Sequence, residues 1–177
     1  MDHEDHVALI RDGIGGGATW ADLGSGTGAF TLALADLLDS SGTIWSVDRD
    51  ADALARQERL LRDRFPTVAV THAVTDFTEP LDLPPLDGII MANSLHFVRD
   101  KLPLLQRLTT GLRDDGRFVL VEYDADHGNA WVPHPISFET WRSLADAAGL
   151  RDTRRLASRP SRFLGSIYSA LSVRGAE

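Results

Sequence analysis

Side chains able to bind a small ligand recur where apolar, strand-like runs end. Asp22 ends the run that starts at Ala18, Asp48 follows Thr43 to Val47, and Asp76 follows Thr67 to Val74; Asn93 to His96 follow Leu86 to Ala92, and Glu122 and Tyr123 close the run from Arg117. Between the first run and a helix starting at Ala29 lie Gly24, Ser25, Gly26, Thr27 and Gly28. Alternate glycines let a ligand approach bare backbone, and a helix start leaves N–H groups that can face it. Carboxylates around such a turn accept hydrogen bonds from hydroxyls, amines or cations. Asp48 lies 20 residues beyond Gly28, where an acid suits the two hydroxyls of a ribose. It can also cap the next helix, a role open to Asp50 as well. Asp76 suits an exocyclic amine on adenine, with the Phe77 N–H donating to a ring nitrogen.

The elements that must position these residues follow from periodicity. Asp2 to Asp12 is a short amphipathic stretch, expected as a helix on the sheet edge. Gly13-Ile14-Gly15-Gly16-Gly17 precedes a strand and not a helix, so it is expected as a flexible turn; Ser40-Ser41-Gly42 is a second turn. A helix from Asp50 to Arg64 carries an apolar stripe at three- and four-residue spacing. Leu86 to Ala92 is apolar enough for a strand buried on both faces. A helix from about Asp100 to Leu112, a turn at Asp114-Asp115-Gly116 and a strand from Arg117 to Tyr123 come next. Such alternation implies a parallel sheet covered on both faces. After an irregular stretch, Ser137 caps a helix from Phe138 to Ala148 ended by Gly149. The strands Leu150 to Ser158 and Arg162 to Arg174 flank a turn at Arg159-Pro160-Ser161, which permits only antiparallel pairing. The ligand site of such a sheet lies beyond the strand ends, between the first strand and the fourth.

The string Asp22-x-Gly24-x-Gly26-x-Gly28 meets two patterns. Gly24, Gly26 and Ala29 match the dinucleotide fingerprint, which keeps an NAD(P)-dependent reductase as an alternative. The full string resembles the first motif of the class I S-adenosylmethionine-dependent methyltransferases. A carboxylate there suits a ligand bearing an ammonium group and would repel a pyrophosphate. With Trp45 to Asp50, Thr75-Asp76-Phe77, Leu86 to Val98 and Leu112 to Glu122, most of the chain is similar to the small, ubiquinone-biosynthesis-like branch of that family. The resemblance implies a Rossmann-like, doubly wound α/β sheet of seven strands in the order 3-2-1-4-5-7-6, with strand 7 antiparallel. It implies S-adenosyl-L-methionine as cofactor. Asp22, Gly24, Ser25, Gly26, Thr27 and Gly28 would hold the methionine part, Asp48 the ribose, Asp76 and Phe77 the adenine, and Asn93 the sulfonium side; Arg49 joins this cofactor-binding set.

The expected reaction is methyl transfer by in-line displacement to a small-molecule acceptor, accelerated mainly by proximity and alignment, with no obligatory base. His96 is the first candidate base, although a packing role fits its position equally. Glu122, Tyr123, His127 and His134 are weaker candidate bases, and the first three are also candidate acceptor contacts. Asp126, His127 and Glu122 are residue types able to hold a divalent metal, but no metal is assigned. A non-catalytic regulatory protein retaining the fold is a further alternative.

The 177 residues fit one domain, 1–177, with 1–17 as a short N-terminal segment and no separate cap domain. A reductase normally needs a second domain. Acceptor recognition then falls to Tyr123 to Ile136, to the region of His96 or to a partner chain. A net charge of −8 argues against a nucleic-acid partner. Arg151, Arg154, Arg155, Arg159 and Arg162 alternate with apolar residues, as on a solvated face of edge strands. The absence of cysteine excludes disulfides and thiolate metal sites. No apolar run approaches the ~20 residues of a membrane span, and the polar start, with His3 and His6, reads as an exposed terminus and not a signal peptide. A cytoplasmic protein without a membrane partner is expected; nothing in the sequence indicates its oligomeric state.

Overall fold

A computed structural model describes residues 1–15, 18–38, 40 and 42–175. The turns expected at Gly13 to Gly17 and Ser40 to Gly42 therefore lie partly outside the described residues. Seven strands form one sheet in the order β3-β2-β1-β4-β5-β7-β6. They are β1 Thr19–Leu23, β2 Thr43–Asp48, β3 Ala69–Val74, β4 Leu86–Ala92, β5 Leu112–Tyr123, β6 Leu150–Pro160 and β7 Ser166–Arg174. From β3 to β5 the pairing is parallel, and β7 runs antiparallel to both β5 and β6. Order and direction are those expected of the doubly wound α/β fold.

Alternation along the central strands divides the core. Ala21, Ile89, Phe118 and Leu120 face α4 (Leu102–Thr110) and α5 (Phe138–Ala147). Trp20, Ile90, Val119 and Val121 face α1 (His3–Ile10), α2 (Ala29–Leu38) and Leu61 of α3 (Ala51–Arg64). Successive residues of a strand point to opposite faces, so central strands must be apolar throughout. Helix α1 packs on α2 and, as expected, at the sheet edge, chiefly against the edge strand β6 and reaching β7 and β5 beside it. That position buries Val7, Leu9 and Ile10 together. No described helix is long and apolar enough to cross a membrane.

Local chemistry sets the element ends. Asp50 accepts from the Ala53 N–H at 3.0 Å and Ser137 from the Thr140 N–H at 3.2 Å, so both helices begin where expected. Two turns differ from expectation. Asp114-Asp115-Gly116 is a bulge within β5: Leu86 pairs with Leu112 but Gly88 with Arg117, and Asp115 takes φ 60°. The β6–β7 turn falls later, because β6 continues through Pro160 and Ser161 donates to the Gly165 carbonyl at 2.8 Å. An edge strand tolerates that proline. Arg151 pairs with Asp115 and Asp152, and Arg155 with Asp124, so the basic edge is paired and solvated.

Candidate functional site

A cavity of about 380 Å³ opens at the strand ends where the order reverses, between β1 and β4. Gly24, Gly26, Asp48, Arg49, Asp76, Phe77 and Asn93, all expected at the cofactor, line it; Thr78, Ser94, Phe97 and Val98 complete it.

The turn between β1 and α2 is built differently from an anion cradle. The N–H groups of Gly24 and Ser25 donate to the Val47 carbonyl at 2.8 and 3.1 Å, and that of Gly28 donates to the Ser25 carbonyl at 3.0 Å. Gly26 donates to Asp48 Oδ2 at 2.7 Å, and the Asp50 N–H holds Oδ1 at 2.9 Å. The row of free N–H groups expected to face a ligand is thus largely consumed. A clamped carboxylate stands at the rim instead. At Gly26, φ is +54° and an added Cβ would meet nothing within 4 Å, so bare backbone faces open space. Gly28 is glycine for another reason: at φ +91° a Cβ would sit 2.3 Å from Gln57 Cγ.

Asp22 corrects the sequence reading. It is 1% exposed and does not line the cavity. Two residues from Trp20 on β1, it points to the same face as that ring, beneath α2, where Thr31 donates to it at 2.6 Å. Burial pushes its carboxyl up to about 7, against the opposing Thr31 hydrogen bond and with Asp48 adding to the rise. Ser25 is turned inward as well. Its Oγ lies 2.7 Å from Ser46 Oγ, and Ser46 donates to Gln57 Oε1 at 2.6 Å. With one proton on each hydroxyl, Ser25 donates to Ser46. Gln57 Nε2 reaches Thr31 Oγ1 at 3.1 Å, and the chain ends on Asp22. A buried relay from Ser25 to Asp22 thereby supports the glycine turn. Thr27 is exposed at the helix start and, like Ser25 and Gly28, lies outside the cavity lining.

Gln57→Leu is expected to lower stability by about 1–2 kcal/mol in urea unfolding, because Ser46 and Thr31 lose a buried partner. An unchanged midpoint would show that the relay contributes nothing. Sequence reading passed over Gln57, yet a signal exists. It is the polar member of the α3 stripe Ala53, Leu54, Gln57 and Leu61, all buried.

On the opposite wall, Asp76 Oδ1 accepts from the Thr78 N–H at 2.9 Å and its hydroxyl at 2.7 Å. These bonds hold the Asp76 carboxyl below the usual range. Its Oδ2 lies 3.8 Å from Arg49 at the exposed rim. Arg107 of α4 donates to the carbonyls of Phe77 and Thr78 at 3.0 and 2.8 Å, fixing the turn that carries them. Ser94 donates to the Leu23 carbonyl at 2.7 Å and ties the end of β4 to β1. Asn93 is the outlier: it takes φ 54° without being glycine, and its buried Oδ1 has no partner among the described residues. A strained backbone and an orphaned acceptor at one cavity residue are the marks of a site held ready for a ligand.

His96 and Glu122 lie outside the cavity lining. Glu122 is 0% exposed and cannot contact an acceptor, a second correction. Its carboxylate instead receives the His96 N–H at 3.1 Å, His96 Nδ1 at 3.0 Å and the Tyr123 N–H at 2.9 Å. Tyr123 is buried with its ring edge-on to His96 at 5.7 Å, whereas His127 is exposed on the loop and away from the cavity. Among the described residues no cluster of His, Cys, Asp or Glu could hold a metal, so Asp126, His127 and Glu122 are not brought together.

Solved structures share this fold. The YcgJ protein of Bacillus subtilis is 13% identical with a TM-score of 0.76, over 99% of this chain and 100% of that one. Haemonchus contortus phosphoethanolamine N-methyltransferase 2 is 15% identical with a TM-score of 0.77, over 98% of this chain and 53% of that one. Human N-acetylserotonin methyltransferase, solved with SAM, is 17% identical with a TM-score of 0.69, over 99% and 52%. This chain thus spans about half the length of the latter two. No curated protein matches the sequence. Residues 21–118, which carry the glycine turn, both acidic rims and the end of β4, match the family model described as a methyltransferase domain, and the chain belongs to that family.

Proposed function

We propose that this chain binds S-adenosyl-L-methionine in the cavity between β1 and β4 and transfers its methyl group to a small-molecule acceptor. The observation that carries this reading is the buried, unpartnered Oδ1 of Asn93 at a strained position of the cavity wall. An orphaned acceptor suits the cationic end of the ligand. Asp48 adds a negative charge at the bare face of Gly26, with lone pairs left for ribose hydroxyls. Asp76 and the Phe77 backbone suit adenine. A pyrophosphate suits this site poorly, because the N–H groups that would bind it are engaged and Asp48 would repel it.

When bound, the cofactor supplies a methyl group already activated on a sulfonium. The chain's own residues hold and orient: Asn93 at the charged end, Asp48 at the sugar, the Arg107-braced turn at the base. Within the family we place the chain in the small, ubiquinone-biosynthesis-like branch, on its motifs. The charge of −8 supports a small acceptor over a nucleic acid and fits a cytoplasmic setting.

Thermal unfolding tests this reading. S-adenosylhomocysteine or S-adenosylmethionine at a hundredfold excess over Kd should stabilise the fold by about 2.7 kcal/mol, and NAD or NADP should leave the Tm unmoved. Stabilisation by the nicotinamide nucleotides alone would overturn it.

A further inference from the structure

The sheet is covered unevenly. Helices α2 and α3 connect β1 to β2 and β2 to β3, and α4 connects β4 to β5, but residues 75–85 carry the chain from β3 to β4 without a helix. A loop packs less closely than the helix a parallel crossover usually brings. Between this loop, α4 and the strands β1 and β4 lies a second cavity, of about 290 Å³. Leu23, Leu86 and Ile89 of the sheet, Leu108 of α4, and Leu81 and Leu83 of the loop make its walls apolar.

Among the described residues that line it, Arg107 alone is charged. Its Nη2 donates to the carbonyls of Phe77 and Thr78 at 3.0 and 2.8 Å, as the donor site requires. Its Nε and Nη1 have no partner, and no carboxylate among the described residues lies within ion-pair distance of the guanidinium. Glu79 and Asp82 of the loop are exposed, and neither meets it. A half-buried cation with unused donors at the wall of an apolar cavity selects an anion that carries an apolar body.

We infer that this cavity binds a short aliphatic carboxylate, its chain among the leucines and its charge on Arg107, and that its occupancy raises affinity at the donor cavity. The second half rests on the donor reading above. A cavity of ~150 Å³ holds a benzene, so this one takes a chain of about eight carbons. No aromatic side chain lines it, which suits a flexible chain over a ring that stacks. With Nη2 committed, Nη1 and Nε remain to donate to the carboxylate. An anion held there fixes the guanidinium plane in which Nη2 grips the Phe77 and Thr78 carbonyls, and both of those residues line the donor cavity. A ligand that favours the gripped turn and a donor that needs it must strengthen each other by the same factor.

Octanoate is the probe, with 1-octanol and acetate for comparison, and calorimetry first reads binding with no nucleoside present. Octanoate should bind about tenfold tighter than 1-octanol, the scale of a charge-assisted hydrogen bond, and acetate should not register. Leu81→Trp and Leu83→Trp, which fill the cavity from the loop, should each weaken octanoate about tenfold or more and leave S-adenosylhomocysteine affinity intact. Arg107→Gln should erase the preference over 1-octanol. Saturating octanoate should then raise S-adenosylhomocysteine affinity about fivefold or more. Absence of octanoate binding, equal binding of octanoate and 1-octanol, or binding untouched by both tryptophan variants would each overturn the site. An S-adenosylhomocysteine affinity unmoved or lowered by octanoate would overturn the coupling alone. Failure of S-adenosylhomocysteine to bind without octanoate would instead overturn the donor reading, and the coupling with it, while the octanoate measurements still decide the site.

Discussion

Asp22→Asn is expected to outperform the wild type in stability at alkaline pH and to lose that advantage in acid. The Asp22 carboxyl is raised from 3.8 to about 7 by burial, so the folded chain prefers it protonated. Between those two values the folded state binds more protons than the unfolded state, and stability must fall as pH rises. The contribution is fully present below the unfolded value and gone once pH exceeds the folded one. Asparagine cannot titrate and can still accept the Thr31 hydroxyl. The stability difference between variant and wild type should therefore grow by roughly 2 to 3 kcal/mol between pH 5 and pH 8. Urea unfolding at the two pH values measures it; a constant difference would mean that Asp22 stays ionised in the folded protein. Using the difference between the two proteins cancels the other titrating groups, which both share.

Asp48→Ala should weaken S-adenosylhomocysteine binding by ~1.5–3 kcal/mol, the scale of a charge-assisted hydrogen bond. Two effects combine. The ligand loses an acceptor at its sugar, and the glycine turn loses the carboxylate that the N–H groups of Gly26 and Asp50 now clamp. Asp48→Asn separates them, because an amide oxygen keeps the clamp on one side without the charge. Calorimetry on both variants should rank the affinities wild type, then Asn, then Ala. An Ala variant that binds as tightly as the wild type would place the ribose elsewhere. Together with Gln57→Leu, these substitutions distinguish residues that meet the ligand from residues that support the turn beneath it.

Neighbouring residues show how far one-dimensional reading reaches. Asp48 and Asp22 both end strands beside the same turn. Both lie on one face of the sheet, since Asp22 is in register with Ser46 and Asp48 follows two residues later. Their different fates depend on how far along the strands each sits and on what α2 places opposite: Asp48, beyond the end of β1, clamps Gly26 at the rim, while Asp22 meets Thr31 under the helix. Glu122 looked like an acceptor contact because it ends β5, yet the segment after β4 folds over it and gives it His96 as partner.

Periodicity, caps and glycine spacing are local properties of the chain, and they sufficed for the order of elements, the parallel sheet with its antiparallel end, and the presence of a cavity at the strand ends between β1 and β4. Tertiary packing alone decided which polar groups were left free. Asn93 became an orphan and Ser25 a spent donor through contacts that are not local in sequence. Tyr123 likewise meets the ring of Phe163 because the register of β5 against β7 sets Tyr123 opposite Ile167, which carries the preceding turn and its Phe163 alongside. Hydrogen-bond satisfaction and strand register are properties of pairs of residues distant along the chain, so no window on the sequence contains them.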